Sequence, residues 1–134
     1  MRLIKTIYLA GPMENVSSED AKSWRDYAKS KLHDYDILDP TRRSHNFEKE
    51  YKRIFELDML DVTKADLILV NLADPKLAKH GTAMEVFYAN YILRKPVVAF
   101  KDDPKVKHPF FEQLVTEWRA NVEDAVDLIL TEYY

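Results

Sequence analysis

The chain has 134 residues, with 20 basic and 23 acidic side chains, a formal net charge of −3, two glycines and no cysteine. Such a length makes one domain, able to bury about two-thirds of its unfolded surface, and the charge balance gives no electrostatic case for a nucleic acid polymer or an anionic membrane as partner. Without cysteine there is no disulfide framework or thiolate nucleophile; no apolar run reaches membrane length, and the opening residues lack a signal peptide's apolar core, a combination that suits the cytoplasm.

In chain order, residues 4–10 (Ile-Lys-Thr-Ile-Tyr-Leu-Ala) read as a first strand that ends at Gly11. Ser17-Ser18-Glu19-Asp20 offers a capping box for a helix whose apolar stripe is Ala21, Trp24, Ala28 and Leu32. Asp36-Ile37-Leu38 makes a short second strand, stopped at Asp39-Pro40, and a second helix runs from about Phe47 to Thr63. Residues 65–72 form the clearest strand, nearly continuous in apolar character as in a strand buried on both faces. A third helix covers 82–94 and a fourth strand 96–100. The tail has helical spacing at Val122, Ala125, Val126, Ile129 and Leu130, with room for a short fifth strand before it. No internal repeat, linker or low-complexity segment interrupts the pattern.

Strands and helices alternating at this spacing imply an α/β fold: a three-layer, flavodoxin-like (Rossmann-like) parallel sheet of four to five strands with helices on both faces. Such sheets bind ligands beyond the carboxyl ends of the strands where strand order reverses, here between the first and third strands. Gly11 ends the first; Asp74 and the loop leading through Gly81 to Glu85 follow the third. In so glycine-poor a chain, both glycines are expected where the backbone takes positive φ or a ligand comes close.

No Gly-x-Gly-x-x-Gly, Walker loop or Gly-x-Ser-x-Gly elbow is present, and His33, His45, His80 and His108 have no metal-site spacing. The remaining chemistry is acidic and phenolic. Thr82-Ala83-Met84-Glu85 fits a capping box, which makes Glu85 structural; the apolar residues that follow make it instead a carboxylate at the start of a buried helix, kept ionised as a nucleophile by the helix N-terminus. Spacings of three and four link Tyr51, Phe55, Asp58 and Val62 and place Asp58 on an apolar stripe, where a carboxylate needs a structural partner or a functional reason. Asp66 reads as structural, Asp61 as solvated, and Tyr8 as either packing or catalytic.

Three segments together resemble the nucleoside 2-deoxyribosyltransferases and their relatives, the deoxynucleoside 5′-monophosphate N-glycosidases. They are Ile7-Tyr8-Leu9-Ala10-Gly11-Pro12-Met13, Asp58 ahead of residues 65–70, and residues 81–89 followed by Lys95-Pro96-Val97-Val98. The resemblance implies that Glu85 is the nucleophile, that Tyr8 orients it, and that Asp58 handles the base and its proton, with Asp74 as the other available acid. It implies sugar and base contacts from Gly11, Met13, Asp74, Gly81 and His108, with Arg42 and Arg43 keeping a phosphate possible. No metal or organic cofactor is required. Small-molecule nucleosides or nucleotides and free nucleobases are the expected partners, and Phe87, Tyr88 and Tyr91, which need cover, point to a homo-oligomer. The sequence departs from the family pattern at Lys79, at His108 and at Glu14 in the first loop. Three readings stay open: deoxyribosyl transfer, hydrolysis by a nucleoside or nucleotide N-glycosidase, and a non-catalytic nucleotide-binding module.

Overall fold

A computed structural model describes residues 3–13, 16–43, 49–74, 80–102 and 107–134. Five strands form an all-parallel sheet in the order β2-β1-β3-β4-β5, with β1 Thr6–Ala10, β2 Asp36–Leu38, β3 Leu67–Asn71, β4 Val97–Phe100 and β5 Glu117–Arg119. The short fifth strand expected before the tail is thus present. Because β1 pairs with β2 on one side and β3 on the other, strand order reverses at β1 and the crevice lies between β1 and β3.

Alternation along the strands divides the core. Ile7, Leu9, Leu67, Leu69, Val98 and Phe100 face one layer, where they pack with Trp24 and Ala28 of α1 (Ser18–Lys31), with Leu32 at its C-terminal cap, and with Ala125, Val126 and Ile129 of α5 (Val122–Glu132). Tyr8, Ala10, Ile68, Val70, Val97 and Ala99 face the other layer, built by α2 (Tyr51–Lys64), α3 (His80–Phe87) and α4 (Pro109–Leu114). The stripe Ala21, Trp24, Ala28 and Leu32 is buried throughout, and Ser17 Oγ caps α1 by accepting from the Asp20 amide at 3.0 Å. Asp66 is structural as expected: its Oδ2 accepts from the amides of Lys5 and Thr6 at 2.9 and 3.0 Å, pinning the entry to β1.

Two helices differ from expectation. The proposed start of α2 at Phe47 lies outside the described residues. On α2 the stripe is rotated: Tyr51 and Phe55 are exposed, whereas Asp61 and Val62 are buried. Asp61, read as solvated, is 3% exposed because Arg42 and Arg43 both donate to it. These partners come from the 3₁₀ turn Pro40–Arg42 and the residue after it, so periodicity along the helix does not report them. On α3 the helix is not covered all round; Met84 and Phe87 stay exposed, as do Tyr91 and Ile92 in the π-helical turn Tyr88–Ile92 that continues it.

Candidate active site

α3 packs across β1 and β3, and this brings two of the expected residues together. The Tyr8 hydroxyl donates to Glu85 Oε2 at 2.5 Å in a buried contact; Tyr8 is 1% and Glu85 8% exposed. Burial drives the Glu85 carboxyl up to about 8; the Tyr8 hydrogen bond and the Arg25 charge pull it down, while Asp58 and Asp61 push it up. Burial and the nearby carboxyls also push the Tyr8 phenol well above its ordinary value, so it remains a proton donor to Glu85.

The capping box does not form. The chain is already helical at His80, which places Thr82 inside α3 and Glu85 in its second turn rather than at the N-terminus. The helix terminus is therefore too far along the chain to hold Glu85 ionised, because its field falls off within the first turn. Burial dominates instead, and the resting carboxyl keeps its proton near neutral pH.

Asp58 is partly buried on α2 and interacts electrostatically with both Tyr8 and Glu85. Its Oδ1 accepts from Arg43 Nη1 at 2.9 Å, while Arg43 Nη2 reaches Asp61. Arg42, expected as a phosphate contact, donates through Nη2 to both Asp61 oxygens at 3.1 and 2.9 Å and through Nη1 to the Asp39 carbonyl at 2.7 Å. Its guanidinium thus ties α2 to the turn after β2 while its side chain stays 41% exposed.

The other expected contacts are placed as follows. Met13 lines a cavity of about 240 Å³ together with Ala21, Lys22, Thr41 and Arg43. Gly11 does not have positive φ; a Cβ there would lie 3.1 Å from Trp24 Cζ2 and 3.3 Å from Asn71 Cβ, so the crevice is tightly packed against this glycine. Gly81 also lacks positive φ, lies in α3, and a Cβ would meet nothing within 4 Å. Asp74 is exposed beyond the end of β3. His108 is exposed, and its Nδ1 accepts from the Phe110 amide at 3.1 Å as the cap of α4. Glu14, His45 and Lys79 lie outside the described residues.

Sequence reasoning missed Arg25. This fully buried arginine donates to the carbonyls of Ala21 at 2.6 Å, Leu9 at 3.4 Å and Gly11 at 3.1 Å, and its guanidinium lies over the Trp24 ring. Its Nε is 3.8 Å from Asp39, which also accepts from Thr41 and pairs with Lys29. Burial lowers the Arg25 pKa, opposed by Asp39. The signal was present: Arg25 stands four residues after Ala21 and three before Ala28, on the buried stripe itself. Among the described residues no cluster of His, Asp and Glu side chains is arranged to hold a metal, and no helix is long and apolar enough to cross a membrane.

Comparison with known proteins bears on this geometry. The family model described as Nucleoside 2-deoxyribosyltransferase matches residues 7–125. Among solved structures, a 2-deoxyribosyltransferase from the psychrotolerant bacterium Bacillus psychrosaccharolyticus superposes with a TM-score of 0.73 at 22% identity, covering 91% of this chain and 90% of that one. A conserved protein from Enterococcus faecalis V583 gives 0.71 at 19% identity, covering 95% and 98%. At these identities the two structures establish the shared α/β fold. Comparison with curated proteins finds no match.

Proposed function

The chain belongs to the nucleoside 2-deoxyribosyltransferase family, and from that premise we propose that it cleaves the N-glycosidic bond of a 2′-deoxyribonucleoside and passes the sugar to another nucleobase. The observation that carries the reading is the buried Tyr8–Glu85 contact on the β1 side of the crevice, at the positions where the family resemblance puts nucleophile and orienter. Glu85, once ionised, attacks the anomeric carbon through an oxocarbenium-like transition state; a covalent glycosyl ester forms and the base departs. A second base then attacks from the opposite face, so configuration is retained over two inversions. Tyr8 fixes the orientation of the carboxyl, and Asp58 handles the proton that the departing base needs. In this reading Gly11, Met13 and Gly81 border the sugar and base, with Asp74 and His108 as further substrate contacts. Arg42, held by Asp61 and still partly exposed, keeps a substrate phosphate possible.

The test is base exchange: deoxyinosine or thymidine is incubated with free adenine, products are followed by chromatography, and Glu85→Ala is run alongside. Exchange that disappears in the variant is expected. Free sugar released regardless of added base would establish a hydrolase instead, and no turnover of nucleosides or their monophosphates would leave a binding module.

A further inference from the structure

Arg43 joins two features that the proposed chemistry treats separately. Its side chain lines the cavity of about 240 Å³ beside Met13, and its Nη1 donates to Asp58 at 2.9 Å. The cavity has an apolar wall of Met13, Val16 and Ala21, the hydroxyl side chains Ser18 and Thr41, and as charged groups the cations Lys22 and Arg43; among the described residues no carboxylate or carboxamide lines it. Such a wall suits a flat apolar ring, and cationic donors suit a ring edge bearing acceptor oxygens rather than amino groups.

We propose that Arg43 is the base-reading residue of the proposed transfer reaction: on binding, its guanidinium turns from Asp58 to an oxo oxygen of the nucleobase, selecting oxo bases such as hypoxanthine over amino bases such as adenine. The inference rests on the family-level reading of the site. An exocyclic amino group would instead face the guanidinium donor to donor, leaving both desolvated and unpaired, the kind of mismatch that discriminates strongly. Arg43 has an anchor while it turns, since Asp61 holds its other terminal nitrogen and is itself held independently by Arg42.

The exchange also accounts for one proton. In the resting site Glu85 carries it, buried against the Tyr8 hydroxyl. As Arg43 turns, one positive charge moves away from Asp58, its proton affinity rises, and in the proposed step the proton passes from Glu85 to Asp58. Glu85, now a carboxylate, forms the bond to C1′. The C1′–N bonding pair goes to the base, whose ring nitrogen accepts the proton from Asp58, and no further reactant is consumed.

Isothermal titration with free hypoxanthine, adenine and unsubstituted purine measures the selection without requiring turnover, and exchange rates with deoxyinosine and deoxyadenosine measure it in catalysis. The wild-type protein is expected to favour hypoxanthine by about 10- to 100-fold in affinity and in kcat/KM. Arg43→Gln should bring the two bases within about twofold, while Arg43→Lys, which keeps a cationic donor, retains part of the preference. Equal or stronger adenine binding by the wild type, no binding of any base, or a preference unchanged in Arg43→Gln would overturn the proposal. The comparison with unsubstituted purine keeps the test decisive if the variant does not fold. Turnover without base preference refutes Arg43 alone; hypoxanthine-selective binding without turnover refutes the transfer reaction and leaves the reading of Arg43 standing.

Discussion

Glu85 shows what a buried carboxyl costs a fold. In the unfolded chain it ionises near 4.5, whereas in the folded protein burial raises it to about 8. Between those values the folded state binds more protons than the unfolded state, so stability falls as pH rises through that window, and the loss is absent below it. Glu85→Gln keeps a partner for the Tyr8 hydroxyl and removes the ionisable group. The variant is expected to be more stable than wild type at about pH 8, by on the order of a few kcal/mol, with the difference vanishing near pH 4; thermal melts across that range check it. The same proton governs activity. With Tyr8, Arg25, Asp58 and Asp61 all acting on Glu85, kcat/KM should hold below the Glu85 pKa and fall above about 8 as the proton needed by the base is lost. Removing the Tyr8 hydrogen bond takes away an influence that lowers that pKa, so Tyr8→Phe should shift the falling limb to higher pH and cut kcat about tenfold or more. A kcat/KM that rises through pH 8 would show that the base takes its proton from elsewhere.

At the level of elements, the two glycines separate packing from access. At Gly11 an added Cβ meets Trp24 and Asn71, both fixed at the crevice, so Gly11→Ala should destabilise by about 1–2 kcal/mol in urea unfolding. At Gly81, a helical position with no atom within 4 Å of the added Cβ, alanine should stabilise by about 0.5–1 kcal/mol. If Gly81→Ala is more stable yet slower in base exchange, the space is needed by substrate rather than by the fold. The strands and α1 could be read directly because their signals are local: continuous apolar runs, a serine cap, and a stripe that is buried in full. The crevice followed from topology. What could not be read depends on partners distant in sequence. Nothing around Asp61 announces two arginines, and nothing around Glu85 announces that the helix is already under way at His80. Arg25 is the exception, since its place on an otherwise apolar stripe already asked for a buried partner, and the structure supplies Asp39 together with three backbone carbonyls.

For the whole molecule, the layer formed by α2 and α3 leaves a group of large apolar side chains in water. Tyr51, Phe55 and Leu60 on α2 are exposed, as are Met84 and Phe87 on the neighbouring α3, with Tyr91 in the turn that follows. Phe87 and Tyr91 stack at 5.4 Å with Arg94 over the second ring, an ordered aromatic surface rather than scattered side chains. Ordered apolar patches of this kind mark interaction surfaces, and a second copy of the chain is the occupant we expect here. Sedimentation equilibrium at micromolar concentration should therefore show a dimer or larger species. Phe87→Lys with Tyr91→Lys should shift it to monomer without unfolding it, since neither ring belongs to the buried core. Both rings follow Glu85 on the same continuous helical segment, so the monomeric variant should lose exchange activity while its Tyr8–Glu85 contact remains intact. A monomer at every concentration in the wild type would mean that these aromatics serve something other than self-association. A dimer that survives both substitutions would move the interface to another face of the sheet.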